Sequence, residues 1–100
     1  MRRLGKSYAH PLLVLVILPG DAGSLRIGVV AGRYMGNAVK RNRVKRQLRA
    51  AIFILQRQMA LGWDIIFIAR KPMGDASFEK IQDAVKTLLL RARVLEKDVA

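Results

Sequence analysis

Residues 63–69 read WDIIFIA, the most strand-like run in a chain of 100 residues. Its unbroken apolar centre favours a strand buried on both faces, as in the middle of a sheet. Two further apolar runs are typical of strands: residues 12–18 lie between two prolines, and residues 25–31 follow a turn rich in Pro, Gly and Asp. The short link between these two runs predicts that they lie antiparallel.

Apolar residues at helical spacing predict a helix between residues 25–31 and 63–69. Asn37 stands where a helix cap belongs, the apolar stripe extends to Met59, and Gly62 is suited to end the helix. The stripe consists of Val44, Leu48, Ala51, Ile52, Leu55 and Met59. Phe53 and Ile54 fall off this stripe and are expected to pack on the N-terminal segment or on a partner.

A second helix is predicted near the end of the chain. Asp75 or Ser77 can cap it, and its apolar stripe runs from Phe78 to Ala92. Because strands and helices are both substantial, the predicted class is α+β, a small sheet packed by helices. One hundred residues correspond to one domain, so residues 1–100 are predicted to form a single unit.

The composition points to a polyanionic partner. The chain has 19 Lys and Arg against 7 Asp and Glu, a net charge of +12. Nucleic acid is the leading candidate and an anionic membrane surface the second. The absence of cysteine excludes disulfides, thiol catalysis and cysteine-bound zinc, while a single His and scattered acids disfavour a metal site. The apolar run at residues 12–18 is too short to span a bilayer.

The positive charge is concentrated on the first predicted helix. No acidic residue occurs between Asp21 and Asp64, and the cations of this stretch are Arg26, Arg33, Lys40, Arg41, Arg43, Lys45, Arg46, Arg49 and Arg57. Seven of these nine fall on the predicted helix. Lys40 and its neighbours lie near the positive end of the helix dipole, where each cation costs roughly 0.3–1 kcal/mol. Bound phosphate would offset this electrostatic cost, and the free N–H groups at the N-terminus of the helix also attract phosphate.

A helical projection distributes the polar residues of this helix in several directions. One row follows an edge of the apolar stripe, one pair faces away from the core, and one pair flanks the other side: Arg41, Lys45 and Arg49; Asn42 and Arg46; Lys40 and Arg43. A protein wedged into RNA would use several such directions. Tyr34, just ahead of the helix, could stack on a base or cap the core. No nucleophile–base pair or carboxylate pair suggests a catalytic site.

The segment 36–49, Gly-Asn-Ala-Val-Lys-Arg-Asn-Arg-Val-Lys-Arg-Gln-Leu-Arg, resembles the RNR motif of the bacterial ribonuclease P protein subunit. That family carries a GNAVxRNRxKRxxR-type pattern, and the match is nearly complete. The flanking strands at residues 26–30 and 64–70 and the helix after residue 77 are similar as well. The resemblance covers roughly residues 5–95.

This resemblance implies a fold and a function. The family fold is a four-stranded sheet packed by helices, similar to domain 2 of ribosomal protein S5, with a left-handed βαβ crossover. The family protein is not itself the catalyst: the RNA subunit, with Mg²⁺, hydrolyses precursor tRNA at the junction of its 5′ leader. The protein would bind the catalytic RNA through the basic helix, and a cleft between that helix and the sheet would hold the leader. A cytoplasmic location is expected, with no membrane and no DNA partner.

The motif also assigns candidate RNA-binding residues. They are Arg33, Tyr34, Asn37, Lys40, Arg41, Asn42, Arg43, Lys45, Arg46 and Arg49. Three departures from the family concern the leader. A further N-terminal helix with two phenylalanines is expected to be absent. An aromatic residue often found in the first long strand is replaced by aliphatic residues such as Val16, and Gly32-Arg33-Tyr34 replaces Ser-Lys-Lys. Tyr34 is therefore a hypothetical stacking platform for the leader.

Two other functions suit a basic helix. One is a structural ribosomal protein or RNA chaperone, and the other is a helix that enters a DNA major groove. The ordered spacing of residues 36–49 favours a ribonuclease P subunit over a ribosomal protein or RNA chaperone. No helix-turn-helix pattern supports binding in a DNA major groove.

Overall fold

The computed structural model describes residues 5–95 and has the α+β architecture that the sequence predicts. Its strands and helices are β1 (Lys6–Ala9), β2 (Leu13–Pro19), β3 (Leu25–Val30), α1 (Ala38–Leu55), β4 (Trp63–Ala69) and α2 (Phe78–Arg91). Short 3-10 turns occupy Arg33–Met35, Gln56–Gln58 and Lys71–Asp75. The expected lack of a further N-terminal helix concerns residues ahead of Gly5, which lie outside the described residues.

The sheet has four strands in the order β1-β2-β4-β3. The prediction that β2 and β3 are antiparallel is correct for their directions, but they are not neighbours. β4 lies between them, antiparallel to β2 and parallel to β3. This arrangement gives the most apolar strand a partner along both of its edges, which a β2–β3 hairpin would prevent. β1 is the fourth strand that the family resemblance implies, and it pairs with β2. The sequence pattern did not locate it, because its four residues have no apolar alternation.

The parallel pairing of β3 with β4 determines where α1 lies. Parallel neighbours cannot be joined by a tight turn and need a crossover connection. The chain supplies that crossover as α1, which is 18 residues long and packs back on the sheet. The βαβ unit expected from the family resemblance is therefore built around the basic helix.

The core lies on one face of the sheet. Alternate residues of β2 and β4 join the apolar stripes of both helices in a single buried cluster, among them Leu13, Leu15, Ile65, Phe67, Val44, Leu48, Ile81 and Leu88. The prediction that β4 is buried on both faces is wrong. Ile66 and Ile68 point to the opposite face and are only half-buried, because both helices pack on the other side.

The ends of the helices follow local capping chemistry, with one difference from the prediction. α2 begins at the predicted cap, since the Ser77 side chain accepts a hydrogen bond of 3.2 Å from the Lys80 amide. α1 ends at Leu55, earlier than expected, and the chain continues in a 3-10 turn. Met59 still reaches the core, and Gly62 takes a positive φ of 94° in the turn that enters β4.

We expect core packing rather than helix propensity to hold α1 in place. Leu48→Ala removes a fully buried side chain and should lower the free energy of unfolding by about 2–5 kcal/mol. Ile54→Ala is the matched control on the same helix, because Ile54 is 51% exposed and should change stability by less than about 0.5–1 kcal/mol. Urea denaturation measures both; equal effects would contradict the packing described here.

Candidate nucleic-acid interface

The ten candidate RNA-binding residues lie in one continuous segment of the chain, between Arg33 and Arg49. Arg33 and Tyr34 lie in the 3-10 turn after β3, Asn37 caps α1, and the remaining seven lie in the first two-thirds of the helix. Seven of the ten are exposed, and Lys40, Arg41 and Lys45 are half-buried. All ten are therefore accessible to a partner.

The N-terminus of α1 is fixed by a capping interaction. The Asn37 side chain accepts a hydrogen bond of 2.9 Å from the Lys40 amide, as the sequence predicts. Gly36, one residue earlier, has a φ of 117°, a conformation that side chains rarely adopt. The glycine and asparagine of the motif thus set the angle at which the basic helix leaves the turn.

Two half-buried cations contact the loops that follow the carboxyl ends of β3 and β4. Arg41 Nε donates a hydrogen bond of 3.3 Å to the carbonyl of Ala31, directly after β3. The Lys40 side chain passes between two glycines, and an added Cβ would lie 3.3 Å from its Cδ at Gly36 and 3.0 Å from its Cε at Gly74. The two side chains therefore leave α1 on the two flanks of its apolar stripe, in agreement with the helical projection.

The positive charge of α1 is not neutralised within the described part of the chain. The helix carries six cations, and the seventh predicted one, Arg57, lies in the following 3-10 turn. Among residues 5–95 the single ion pair joins Arg26 and Asp64 at 3.3 Å, on neighbouring strands. The hydrogen bond and charge of Asp64 raise the pKa of Arg26. The described acidic side chains thus leave the cations of α1 available to an external anion.

Tyr34 has a structural role in the turn after β3, which is one of the two roles that the sequence left open. Its hydroxyl donates a hydrogen bond to the carbonyl of Ala69 at the end of β4, and its ring covers Gly32 so closely that a Cβ there would clash. This contact ties the turn after β3 to the sheet. The residue nevertheless remains 50% exposed, so part of its ring is free to meet a partner.

The face of the sheet opposite the helices is a surface that the strand patterns did not reveal. Val14, Val16, Ile66 and Ile68 lie on it in adjacent register and stay half-buried, and Val30 is 44% exposed. The space between α1 and the centre of the sheet, by contrast, is filled by core side chains. The expected leader cleft between the basic helix and the sheet is therefore closed except along the β3 edge.

The described residues provide neither a metal centre nor a membrane span. No three His, Asp or Glu side chains within residues 5–95 are grouped so that they could hold a metal ion. Neither α1 nor α2 is long and apolar enough to cross a bilayer. The chemistry that this surface offers is cationic and hydrogen-bonding.

The fold and the site together define a class, a small α+β protein whose crossover helix presents an acid-free cationic surface to a polyanion. Comparison with known proteins identifies the family. The model of the family described as Ribonuclease P matches residues 1–93. The chain belongs to the ribonuclease P protein family.

Relatives and solved structures agree with this assignment. The ribonuclease P protein component of Herpetosiphon aurantiacus is 44% identical over 94 residues, which cover 94% of this chain and 76% of that protein. The Staphylococcus aureus RNase P protein structure has a TM-score of 0.81 at 31% identity, covering 92% of this chain and 84% of that one. The Thermotoga maritima RNase P protein has a TM-score of 0.79 at 27% identity, covering 87% and 83%.

Family membership decides between the interpretations of the sequence. A ribonuclease P protein component is a subunit of the ribonuclease P holoenzyme, an endoribonuclease of tRNA maturation. Its partner in that ribonucleoprotein is the ribonuclease P RNA. This assignment favours a ribonuclease P subunit over a ribosomal protein, an RNA chaperone or a DNA-binding helix.

Variants of the cap should separate the stability of α1 from its charge. Asn37→Ala removes the acceptor of the Lys40 amide and should cost about 0.5–2 kcal/mol of unfolding free energy. Asn37→Asp keeps an acceptor and favours the helix dipole, so its stability should equal or exceed that of the wild type. Its added negative charge should still weaken RNA binding. Urea denaturation and filter binding test this pair, and wild-type RNA affinity in Asn37→Asp would contradict it.

Proposed function

We propose that the chain binds the ribonuclease P RNA through the first two-thirds of α1. The observation that carries this proposal is the set of six cations on the helix without an ion-pair partner in residues 5–95. Three of them lie near the N-terminus, where the helix dipole also attracts phosphate. Arginine supplies four of the six and can bind a phosphate with two parallel hydrogen bonds.

The directions of the side chains suit two RNA strands. Arg41 leaves α1 toward β3, Lys40 leaves toward the loop at Gly74, and Arg46 is exposed. A single groove of duplex RNA could contact only the side chains that leave the helix in one of these directions. The chain would therefore act as a cationic wedge between neighbouring segments of the RNA, and it would reduce the repulsion between their phosphates.

We place the 5′ leader of precursor tRNA on the sheet face opposite the helices. Val16, one of the aliphatic residues of β2 where the family often has an aromatic one, lies on that face, which supports the face as the leader surface. This placement replaces the cleft between α1 and the sheet. The face offers aliphatic side chains to unpaired bases, with Tyr34 at the carboxyl ends of β3 and β4 as the nearby aromatic candidate.

In this proposal the RNA subunit performs the chemistry. The Mg²⁺ of the reaction would be held mainly by the RNA subunit and the substrate, as the resemblance to the family implies. There it would support hydrolysis of the phosphodiester at the leader junction, which would give the mature 5′ end of the tRNA. The protein contributes binding and orientation of the two RNAs and neutralisation of phosphate charge.

The direct test is 5′ processing of a precursor tRNA by a bacterial ribonuclease P RNA at low Mg²⁺, with and without this chain. Low Mg²⁺ leaves the repulsion between the two RNAs poorly screened, so the cationic protein should restore cleavage. Tight RNA binding without restored cleavage would contradict the role in leader handling. Neither selective binding nor cleavage would contradict the whole proposal.

The charge of α1 should control affinity. If about six phosphates are neutralised, the logarithm of the binding constant should fall with the logarithm of salt concentration with a slope of about −4 to −5. Arg46→Ala should weaken binding and make the slope shallower by about 0.7–0.9. Lys86→Ala, which removes an exposed cation from α2, is the matched control and should change neither. Filter binding over a salt series measures these values; a flat salt response would exclude the electrostatic mode.

Tyr34 should contribute to leader affinity through its ring. Tyr34→Phe keeps the ring and loses the hydrogen bond to Ala69, so it should retain most of the affinity for a precursor with a leader. Tyr34→Ala should lose about 5-fold or more, as expected for a lost stacking contact. The control substrate is the same tRNA without a leader, whose affinity should not change. Unchanged leader affinity in Tyr34→Ala would contradict the stacking hypothesis.

A further inference from the structure

Phe53 is an exposed aromatic residue on the basic helix. Its side chain is 74% exposed in the last turn of α1, and it contributes nothing to the buried core. Arg49 precedes it by four residues and Arg57 follows it by four, so both cations are its neighbours along the helix surface. Phe53 therefore continues the row of Arg41, Lys45 and Arg49, with an aromatic ring where another cation would fall.

A groove connects this ring to the outer strand of the sheet. Two cavities of about 340 and 850 Å³ lie side by side between the end of α1 and β3. Both are lined by Phe53, Leu25 and Gln56. Arg49 lines the first cavity and Arg57 the second, and neither has an acidic residue in its lining. Their volumes lie in the range of about 300–1,000 Å³ that is typical of ligand sites.

The lining chemistry matches an unpaired nucleotide. A base needs an aromatic or apolar surface for its faces, which Phe53 and Leu25 provide, and hydrogen-bonding groups for its edge, which the Gln56 amide provides. The phosphates on either side of the base need cations, and Arg49 and Arg57 lie at the two parts of the groove. A second copy of the chain is a poor occupant, because each copy carries a net charge of +12.

We infer that this groove binds one unpaired nucleotide of the ribonuclease P RNA, with the base stacked on Phe53 and the flanking phosphates on Arg49 and Arg57. The inference rests on the proposed function, since it extends the same RNA strand along the row of cations beyond the RNR motif. It adds to the interface an apolar contact between Phe53 and an unpaired base. The strength of this contact does not depend on counterion release.

The test compares Phe53→Leu and Phe53→Trp with the wild type in filter binding to a bacterial ribonuclease P RNA. Phe53→Leu keeps apolar area but loses the π-face, so the affinity should fall by about 5-fold, the lower end of the range for loss of a stacking side chain. Phe53→Trp keeps a stacking surface and should bind within about 3-fold of the wild type. Neither substitution removes a cation, so the salt slopes of both should equal that of the wild type. Thermal unfolding verifies that the variants are folded.

Arg46→Ala in the same assay separates this inference from the proposed function. If Arg46→Ala weakens binding while Phe53→Leu binds as the wild type does, the nucleotide site is wrong and the proposed function stands. If the wild type does not bind the RNA, both are wrong. A loss in Phe53→Leu that occurs only with a leader-containing precursor would overturn the assignment to the ribonuclease P RNA. A Phe53-dependent dimer in sedimentation, with RNA affinity unchanged, would assign the groove to a second copy.

Discussion

The parallel pairing of β3 with β4 is the constraint on which the rest of the molecule depends. Because parallel neighbours need a crossover, the chain must place a long element between them, and that element is the basic helix α1. Burial of its apolar stripe, with Val44 and Leu48 fully enclosed, fixes its rotation about its own axis. Packing of the core therefore sets the directions in which the cations leave α1, although the cations themselves lie outside the core.

The free protein carries an electrostatic cost that a polyanion removes. Six cations lie on α1 without a described ion-pair partner, and several are near the positive end of the helix dipole. Repulsion among these cations opposes folding, and bound phosphate replaces that repulsion with attraction. The same arrangement therefore links stability to binding, since a ligand that binds only the folded state stabilises it by an amount that rises with the logarithm of the ligand concentration divided by Kd.

The sequence predicts the parts of this fold that depend on local patterns and misses those that depend on assembly. The period of the apolar residues located α1, α2 and three strands, and the caps at Asn37 and Ser77 follow from side-chain chemistry. The position of β4 between β2 and β3 is a property of the whole sheet, so no local pattern contains it. The open face of the sheet was missed because the centre of β4, from Ile65 to Ile68, is uniformly apolar and does not distinguish its two faces. The candidate RNA-binding residues came from an ordered motif. The sequence also placed Phe53 off the apolar stripe of α1, whereas the groove beside it required the three-dimensional structure.

Directed cleavage of the RNA would test the central claim, that α1 is the surface bound to the ribonuclease P RNA. The chain has no cysteine, so single cysteines can carry a hydroxyl-radical-generating chelate without competing sites. Ala50→Cys places the chelate on an exposed position of α1, and Thr87→Cys places it on an exposed position of α2. We predict strong cleavage at a few RNA positions from the α1 site and weak or no cleavage from the α2 site. Equal cleavage from both sites, or cleavage from α2 alone, would contradict it.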